Sequence, residues 1–269
     1  MPETHIMNDG CKIHYSHFPN PGKSTVVLSA PIGTTMAIWQ PQIAALQERF
    51  SVLSYDSRGH GLSDAYPGSY SMDRLGWDVV ELIDALELEK VHFCGLSLGG
   101  MVGQWLSYRH PERINSLVLA NTAAYMGPPS GWEDRINLVL SKGIACIWEV
   151  FCERMLTGDF INGNPEIIAE LKSMFESIDA SGYAGCCAAI RDMDMRPTSH
   201  LNQLRTLMIA GSQDIATPVA QLRSLKEVYA DASLVELDAA HLSNIEQAEE
   251  FTKHLIVLFS LKLSVFSVN

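Results

Sequence analysis

The segment Gly95-Leu96-Ser97-Leu98-Gly99 is the most informative feature of this chain for its fold. Residues 91–94, just before it, form a short apolar run that predicts a buried strand, and residues 100–108 have the pattern of a helix. A strand, a G-x-S-x-G turn and a helix are together typical of a nucleophile elbow, in which the serine hydroxyl stands exposed at the carboxyl end of the strand. Side chains at 95 and 99 would collide with the neighbouring elements, which explains the glycines. We therefore predict that Ser97 is a catalytic nucleophile and not a surface serine in a glycine-rich turn.

Composition limits the partners of this chain of 269 residues. Its formal net charge of −12 and pI near 5.1 disfavour nucleic acid and anionic membranes. The six cysteines form no C-x-x-C pair and no Cys/His cluster with zinc spacing, so we expect free thiols, no metal site and a cytoplasmic location. The N-terminus lacks the basic and apolar regions of a signal peptide. The apolar stretch 255–266 is short and contains Lys262, which predicts a packed terminal helix and no membrane span.

Short apolar runs alternate with helical patterns along most of the chain. Strands are predicted at 25–29, 51–55, 91–94, 116–120, 206–210 and 234–237, with helices near 37–48 and 72–86. This alternation is typical of an α/β fold, a mostly parallel doubly wound sheet covered on both faces. From 123 to 195 the pattern is helical throughout, and Asn164-Pro165 predicts the start of one helix. We therefore predict a core of residues 1–122 and 196–269, with 123–195 inserted as a helical lid.

A serine nucleophile needs a base, and His241 is the histidine in the right place. In a parallel sheet the reactive groups lie on loops at the carboxyl ends of strands, and His241 follows the strand at 234–237 by a short loop. His92 lies within the strand before the serine, where its side chain cannot reach the Ser97 hydroxyl. His60 lies in a turn after the strand at 51–55, and we expect it to be structural.

The acid that orients the base is predicted to be Asp214, which follows the strand at 206–210. The end of the strand at 116–120 offers Asn121-Thr122 and no carboxylate. Asp56 and Asp238 also follow strands; we expect the first to be structural and keep the second as an alternative. The resulting chain order of serine, aspartate and histidine is the order found in α/β-hydrolases.

Two backbone amides are expected to hold the oxyanion that forms when Ser97 attacks a carbonyl. Leu98 places its amide at the amino terminus of a helix, where it faces developing negative charge. The second donor should come from the loop after the strand at 25–29. Pro31 has no amide hydrogen to donate, which makes the Ile32 amide the best candidate.

The chain resembles the α/β-hydrolases over nearly its whole length, and within them the 3-oxoadipate enol-lactonases of aromatic catabolism. The likeness lies in the turn 55–61, the elbow region 92–106, and the segments 119–123, 182–194 and 239–247. The resemblance implies a Ser97–His241–Asp214 hydrolase that opens a small anionic lactone to 3-oxoadipate in the β-ketoadipate pathway, without a cofactor. A general carboxylesterase or carbon–carbon bond hydrolase of the same fold stays open as an alternative. So does a receptor that binds without turnover.

The lid is where we expect the substrate to be recognised. A carboxylate on the substrate needs a cation, and the lid contains Arg135, Arg154, Arg191 and Arg196. We predict Arg135 or Arg191 as the residue that binds this carboxylate, and Trp132 as an apolar wall of the pocket. Ordinary packing of the lid is the competing interpretation for each of these side chains.

Overall fold

The computed structural model of the protein describes residues 2–261, in which eight strands form one sheet. The strands are β1 (Pro2–Ile6), β2 (Lys12–Phe18), β3 (Thr25–Ser29), β4 (Ser51–Tyr55), β5 (Val91–Leu96), β6 (Ile114–Ala120), β7 (Thr206–Gly211) and β8 (Ala232–Leu237). Their order across the sheet is β1-β2-β4-β3-β5-β6-β7-β8. Strand β2 runs antiparallel to both of its neighbours, and all other neighbouring strands are parallel. The Ser97 turn therefore follows a central strand.

The predicted α/β class with a mostly parallel sheet is confirmed. Strands β3 and β4 have the predicted bounds, and β5 to β8 are each one or two residues longer than predicted. Strands β1 and β2 were not predicted. They contain His5, His14 and His17 and lack the continuous apolar run that marks a strand buried on both faces.

Eleven α-helices accompany the sheet within the described residues. They are α1 (Gln40–Leu46), α2 (Met72–Ala85), α3 (Leu98–Arg109), α4 (Pro129–Lys142), α5 (Trp148–Met155), α6 (Gly158–Gly163), α7 (Pro165–Glu176), α8 (Ala180–Asp192), α9 (Val219–Val228), α10 (Ser243–Glu246) and α11 (Ala248–Ser260). Helix α2 shows why such a segment forms. The Ser71 side chain caps it by accepting from the Arg74 amide, and its residues Leu75, Val79 and Leu82 share one buried face. Helix α1 packs on α11, and α2 packs on α3.

Helices α4–α8 all lie between β6 and β7. The chain leaves and returns at one point, where Tyr125 forms a β-bridge with Asp194 and the Met195 amide donates to the Ala124 carbonyl at 2.8 Å. Helix α7 begins at Pro165, as predicted. One apolar cluster runs through the sheet, its covering helices and these five helices. The division into a core and a lid at 123–195 therefore stays a prediction.

The end of the described chain is the packed helix α11, which buries Phe251, Leu255, Leu258 and Phe259. The rest of the apolar stretch predicted to pack here, 262–266, lies outside the described residues. No helix within residues 2–261 is long and apolar enough to cross a membrane.

Helix α8 touches the core backbone to backbone. A Cβ added to Gly182 would strike the backbone of Gly59, whereas one added to Gly158, at the start of α6, would meet nothing within 4 Å. We expect Gly182→Ala to lower the free energy of unfolding by about 1–3 kcal/mol, because a close-packed contact must open. The control Gly158→Ala should change stability by no more than about 1 kcal/mol, in the stabilising direction. Urea unfolding measures both, and equal effects would contradict this contact.

Candidate active site

Ser97 occupies a strained backbone position between β5 and α3. Its φ of 55° and ψ of −113° lie in a backbone region that residues other than glycine rarely adopt. Glycine is required on both sides: a Cβ at 95 would strike the Gly99 carbonyl, and one at 99 would strike the Ser29 carbonyl. The Ser97 amide donates to the Ala120 carbonyl of β6 at 2.9 Å, which ties the turn to the neighbouring strand.

Asp214 and His241 meet at the carboxyl ends of β7 and β8. The His241 Nδ1 lies 2.8 Å from the Asp214 Oδ2, and both residues are buried. Because a carboxylate accepts at Nδ1, that nitrogen carries the proton and Nε2 is left to act as a base. His241 and Ser97 line the same cavity of about 60 Å³. The structure thus brings together the three side chains proposed from the sequence.

Asp214 is held as an ionised carboxylate by many donors. Its Oδ1 accepts from the amides of Ala216 and Thr217, and its Oδ2 accepts from Thr217 Oγ1, Asn121 Nδ2 and His241. Burial opposes its ionisation, but the adjacent imidazole and these donors outweigh burial and lower the pKa of Asp214 to about 2. The sequence interpretation missed Thr217. An Asp followed three residues later by Thr is the signal that could have revealed this turn.

The competing carboxylates have other partners. Asp56 is buried and accepts from the amides of Met36 and Leu62, which is the structural role expected for it. Asp238 is exposed, and its Oδ1 accepts from Gln213 Nε2 at 2.9 Å. Among the acids that follow strands, Asp214 is the one bonded to His241.

The Leu98 and Ile32 amides donate no hydrogen bond within residues 2–261. Leu98 is the first residue of α3, so its amide has no partner inside the helix, and Ile32 lines the cavity that also contains Ser97. The next amide, Gly33, donates to His60 Nε2 at 3.0 Å, which holds this loop in place. His60 thus supports the loop that carries the Ile32 amide.

His60 and His92 are both buried and away from the proton-transfer position. His60 Nδ1 faces the Arg58 carbonyl at 3.3 Å, and His92 Nδ1 lies 2.7 Å from Ser116 Oγ. Burial lowers the pKa of each imidazole to about 4. Both are therefore neutral at neutral pH, and a neutral His60 is needed for Nε2 to accept from Gly33.

Of the predicted lid residues, Trp132 and Arg135 line the cavity that contains Ser97 and His241, and Arg154 joins them. The indole of Trp132 donates to the Met126 carbonyl at 2.7 Å, and the Arg135 guanidinium stacks over the Trp132 ring at 5.0 Å. Neither Arg135 nor Arg154 has an ion-pair partner within residues 2–261. Two half-buried cations without counter-ions thus lie beside the serine and the histidine.

Arg191, the other arginine predicted to bind the substrate carboxylate, does not line this cavity. Its guanidinium pairs with Glu133 of α4 and with the adjacent Asp192. Arg196 is also engaged elsewhere, with Asp194 and over the Tyr125 ring.

The inner cavity adjoins a larger cleft of about 370 Å³ beside the start of α4. Met126, Trp132, Arg135, Arg154 and Ala216 line both spaces. The arginines thus stand between the surface cleft and the serine. Among residues 2–261 no three His, Cys, Asp or Glu side chains form a metal-binding group, and all six cysteines are unpaired.

Comparison with known proteins places this chain in a family. The family described as the alpha/beta hydrolase fold matches residues 25–139. The chain is 39% identical to 3-oxoadipate enol-lactonase 2 of Acinetobacter baylyi, over 89% of this chain and 90% of that protein. The chain is an α/β-hydrolase. The crystal structure of the enol-lactonase from Burkholderia xenovorans LB400 matches with a TM-score of 0.94 at 38% identity, covering 96% of this chain and 100% of that one.

The chain is also similar to a second kind of hydrolase. The putative carbamate hydrolase RutD of Agrobacterium fabrum is 30% identical over 86% of this chain and 91% of that protein. The family and fold suggested by the sequence are thereby confirmed.

The geometry predicts a strong difference between two aspartates. Asp214→Asn should lower kcat for an ester by several orders of magnitude, because an amide in place of the carboxylate favours the wrong His241 tautomer. Asp238→Asn, at an exposed site bonded to Gln213, should stay within a few-fold of the wild type. Steady-state kinetics on p-nitrophenyl acetate compares the two variants. A larger loss of kcat in Asp238→Asn would show that Asp238, and not Asp214, orients His241.

The buried imidazoles predict a pH-dependent stability. Their pKa is about 4 in the folded chain and near 6.5 when unfolded, so the unfolded chain binds more protons between these values. The free energy of unfolding should therefore decrease as pH falls from about 6.5 to about 4. In His92→Leu, urea unfolding across this range should show that the free energy of unfolding depends less steeply on pH. The difference corresponds to up to one fewer proton taken up on unfolding. The exposed His200→Gln serves as the control, and an unchanged slope in His92→Leu would refute the assignment.

Proposed function

We propose that this α/β-hydrolase opens 3-oxoadipate enol-lactone to 3-oxoadipate by an acyl-enzyme mechanism. The observation that carries the proposal is the pair of arginines, Arg135 and Arg154, without ion-pair partners within the described residues and in one cavity with Ser97 and His241. A lactone that bears a carboxylate supplies the missing counter-charge. The similarity to named enol-lactonases supports this substrate.

Acylation begins when His241 Nε2 removes the proton of the Ser97 hydroxyl as its oxygen attacks the lactone carbonyl. The amides of Ile32 and Leu98 hold the negative oxygen of the tetrahedral intermediate. Collapse of the intermediate breaks the ring carbon–oxygen bond. His241 then returns its proton to the departing enolate oxygen, and the enol converts to a ketone, which favours ring opening.

Deacylation repeats these roles with water. His241 removes a proton from a water molecule that attacks the acyl ester, and the same two amides hold the second oxyanion. Ser97 leaves with the proton from His241, and the product departs with one carboxylate more than the substrate. Asp214 stays ionised throughout and holds the imidazole. These steps use side chains and backbone amides only, so we propose that no cofactor takes part.

The substrate carboxylate is proposed to bind Arg135 or Arg154, with Trp132 as a flat apolar wall. The stacking of Arg135 on Trp132 fixes its guanidinium plane, which reduces the entropy lost on binding. The thiols, five of them buried, suit the reducing cytoplasm where we propose that the enzyme works.

General carboxylesterase, carbon–carbon bond hydrolase and carbamate hydrolase activities use the same three catalytic groups. A receptor that binds without turnover would keep the fold as well. The arginine pair argues against an uncharged substrate for any of these activities, because a neutral ester supplies no charge to balance two cations.

Paired kinetics on the enol-lactone and on uncharged p-nitrophenyl acetate tests the proposal. Loss of a charge-assisted contact costs about 1.5–3 kcal/mol, so Arg135→Gln or Arg154→Gln should raise KM for the lactone by about one to two decades. Hydrolysis of the neutral ester should hardly change. Arg191→Gln, whose side chain pairs with Glu133 outside the cavity, is the matched control and should leave both substrates unaffected.

Ser97→Ala should abolish turnover of both substrates without unfolding the protein. Equal effects of the three arginine variants on charged and neutral substrates would refute the role of the cavity. Turnover of the ester without turnover of the lactone would favour the carboxylesterase alternative.

A further inference from the structure

The segment Ala120-Asn121-Thr122, at the carboxyl end of β6, bonds to Ser97, to Asp214 and to the loop that carries His241. The Ala120 carbonyl accepts from the Ser97 amide at 2.9 Å, and Thr122 Oγ1 donates to the Ser97 carbonyl at 2.8 Å. The side chain between them, Asn121, points the other way, toward Asp214 and the loop that carries His241.

The side-chain amide of Asn121 is directed at this site. Its Nδ2 donates to Asp214 Oδ2 at 2.9 Å and to the Ala240 carbonyl, one residue before His241, at 3.2 Å. Its Oδ1 accepts from Ser243 Oγ at 2.6 Å, and its backbone amide donates to Ile209 of β7. One fully buried amide thus links the acid to the loops on both sides of the base.

The backbone of Asn121 has a φ of 43°, a left-handed conformation that asparagine, aspartate and glycine tolerate best. This turn directs the side chain along the end of the sheet. Glycine at 121 would keep the backbone and remove the amide. Aspartate would keep both the backbone and the size of the side chain.

We propose that Asn121 is a positioning residue that fixes the Asp214 carboxylate, and through it the His241 ring, relative to Ser97. The inference rests on the proposed serine mechanism but not on the proposed lactone. Asp214 has five donors, and Asn121 is the donor that also holds the carbonyl of residue 240. The amide therefore sets the distance between the acid and the base as well as the orientation of the carboxylate.

The charged groups around the pair are few. Arg135 and Arg154 line the cavity on the lid side of His241, and Glu246 of α10 accepts from the Ala240 amide at 2.8 Å. Asp238 lies beyond the loop, bonded to Gln213. None of them changes in variants at position 121, so a change in pH dependence reports on the new group.

The test compares Asn121→Gly and Asn121→Asp, assayed with p-nitrophenyl acetate per active serine, as counted with a phosphonate ester that labels Ser97. Asn121→Gly should lower kcat about tenfold or more at every pH with little change in KM, because the orientation of His241 is lost and ester binding is not.

In Asn121→Asp the new carboxyl is buried against the ionised Asp214 carboxylate, which raises the pKa of the new carboxyl. While protonated it can donate one hydrogen bond to Asp214 and accept from Ser243, but it leaves the Ala240 carbonyl without its donor. This variant should therefore recover part of the wild-type turnover near pH 6 and fall to the level of Asn121→Gly by pH 9.

Proton NMR gives a second readout, the far-downfield resonance of the His241 Nδ1 proton. It should shift upfield or broaden in Asn121→Gly. The controls are Asn202→Gly and Asn202→Asp. Asn202 is equally buried, but it bonds Thr206 at the opposite end of β7, so these variants should lower stability without changing kcat or the resonance.

Wild-type kcat and an unshifted resonance in Asn121→Gly would overturn the inference. So would a pH profile of Asn121→Asp parallel to the wild type. If Asn121→Gly does not fold, the pH profile of kcat in Asn121→Asp is sufficient to test the inference. A wild type that turns over the ester but not the enol-lactone would refute the proposed substrate and leave the role of Asn121 intact.

Discussion

The structure depends on one strained residue, Ser97, held where the chain reverses between β5 and α3. Such a backbone position costs about 1–3 kcal/mol and persists only if its surroundings leave it no alternative. Here the glycines at 95 and 99 permit close approach, and the segment 120–122 bonds the serine through both its amide and its carbonyl. The register of β5 against β6 is therefore part of the catalytic apparatus, since a shift of one residue would remove both bonds.

Most of the sheet could be predicted from the sequence, because parallel strands buried on both faces must be continuously apolar. Strands β3 to β7 are almost wholly buried and follow this rule closely, whereas the edge strand β8 is only partly buried and was found from its shorter apolar run at 234–235. Strands β1 and β2 do not, since an antiparallel pair at the edge needs only partial burial and tolerates polar side chains such as His14 and His17. The left-handed turn at Asn121 is equally invisible in the sequence, because it arises from contacts with β7 and the loop after β8.

The residues proposed for chemistry were found because each follows a strand, and strand ends converge in a parallel sheet. Lid residues follow no such rule. Arg135 and Arg191 look alike in the sequence, yet Arg191 pairs with Glu133, 58 residues away. Arg135 forms no ion pair within residues 2–261 and stacks on Trp132. Only the packing of α4 on α8 decides which arginine is left to meet a ligand. Arg154 reaches the same cavity from α5, which no spacing rule relates to α4.

The contact between Gly182 and Gly59 couples helix α8 to the turn that follows β4. Gly59 belongs to the turn whose His60 holds the Gly33 amide, so α8 is mechanically linked to the loop of the oxyanion donor. Helix α5 reaches the catalytic loops as well. The Met155 carbonyl accepts from the Leu242 amide at 2.9 Å, next to His241, and the Phe151 ring lies against Gly33. A substitution in α5 or α8 that reshapes the pocket would therefore also be transmitted to the groups that carry out the reaction.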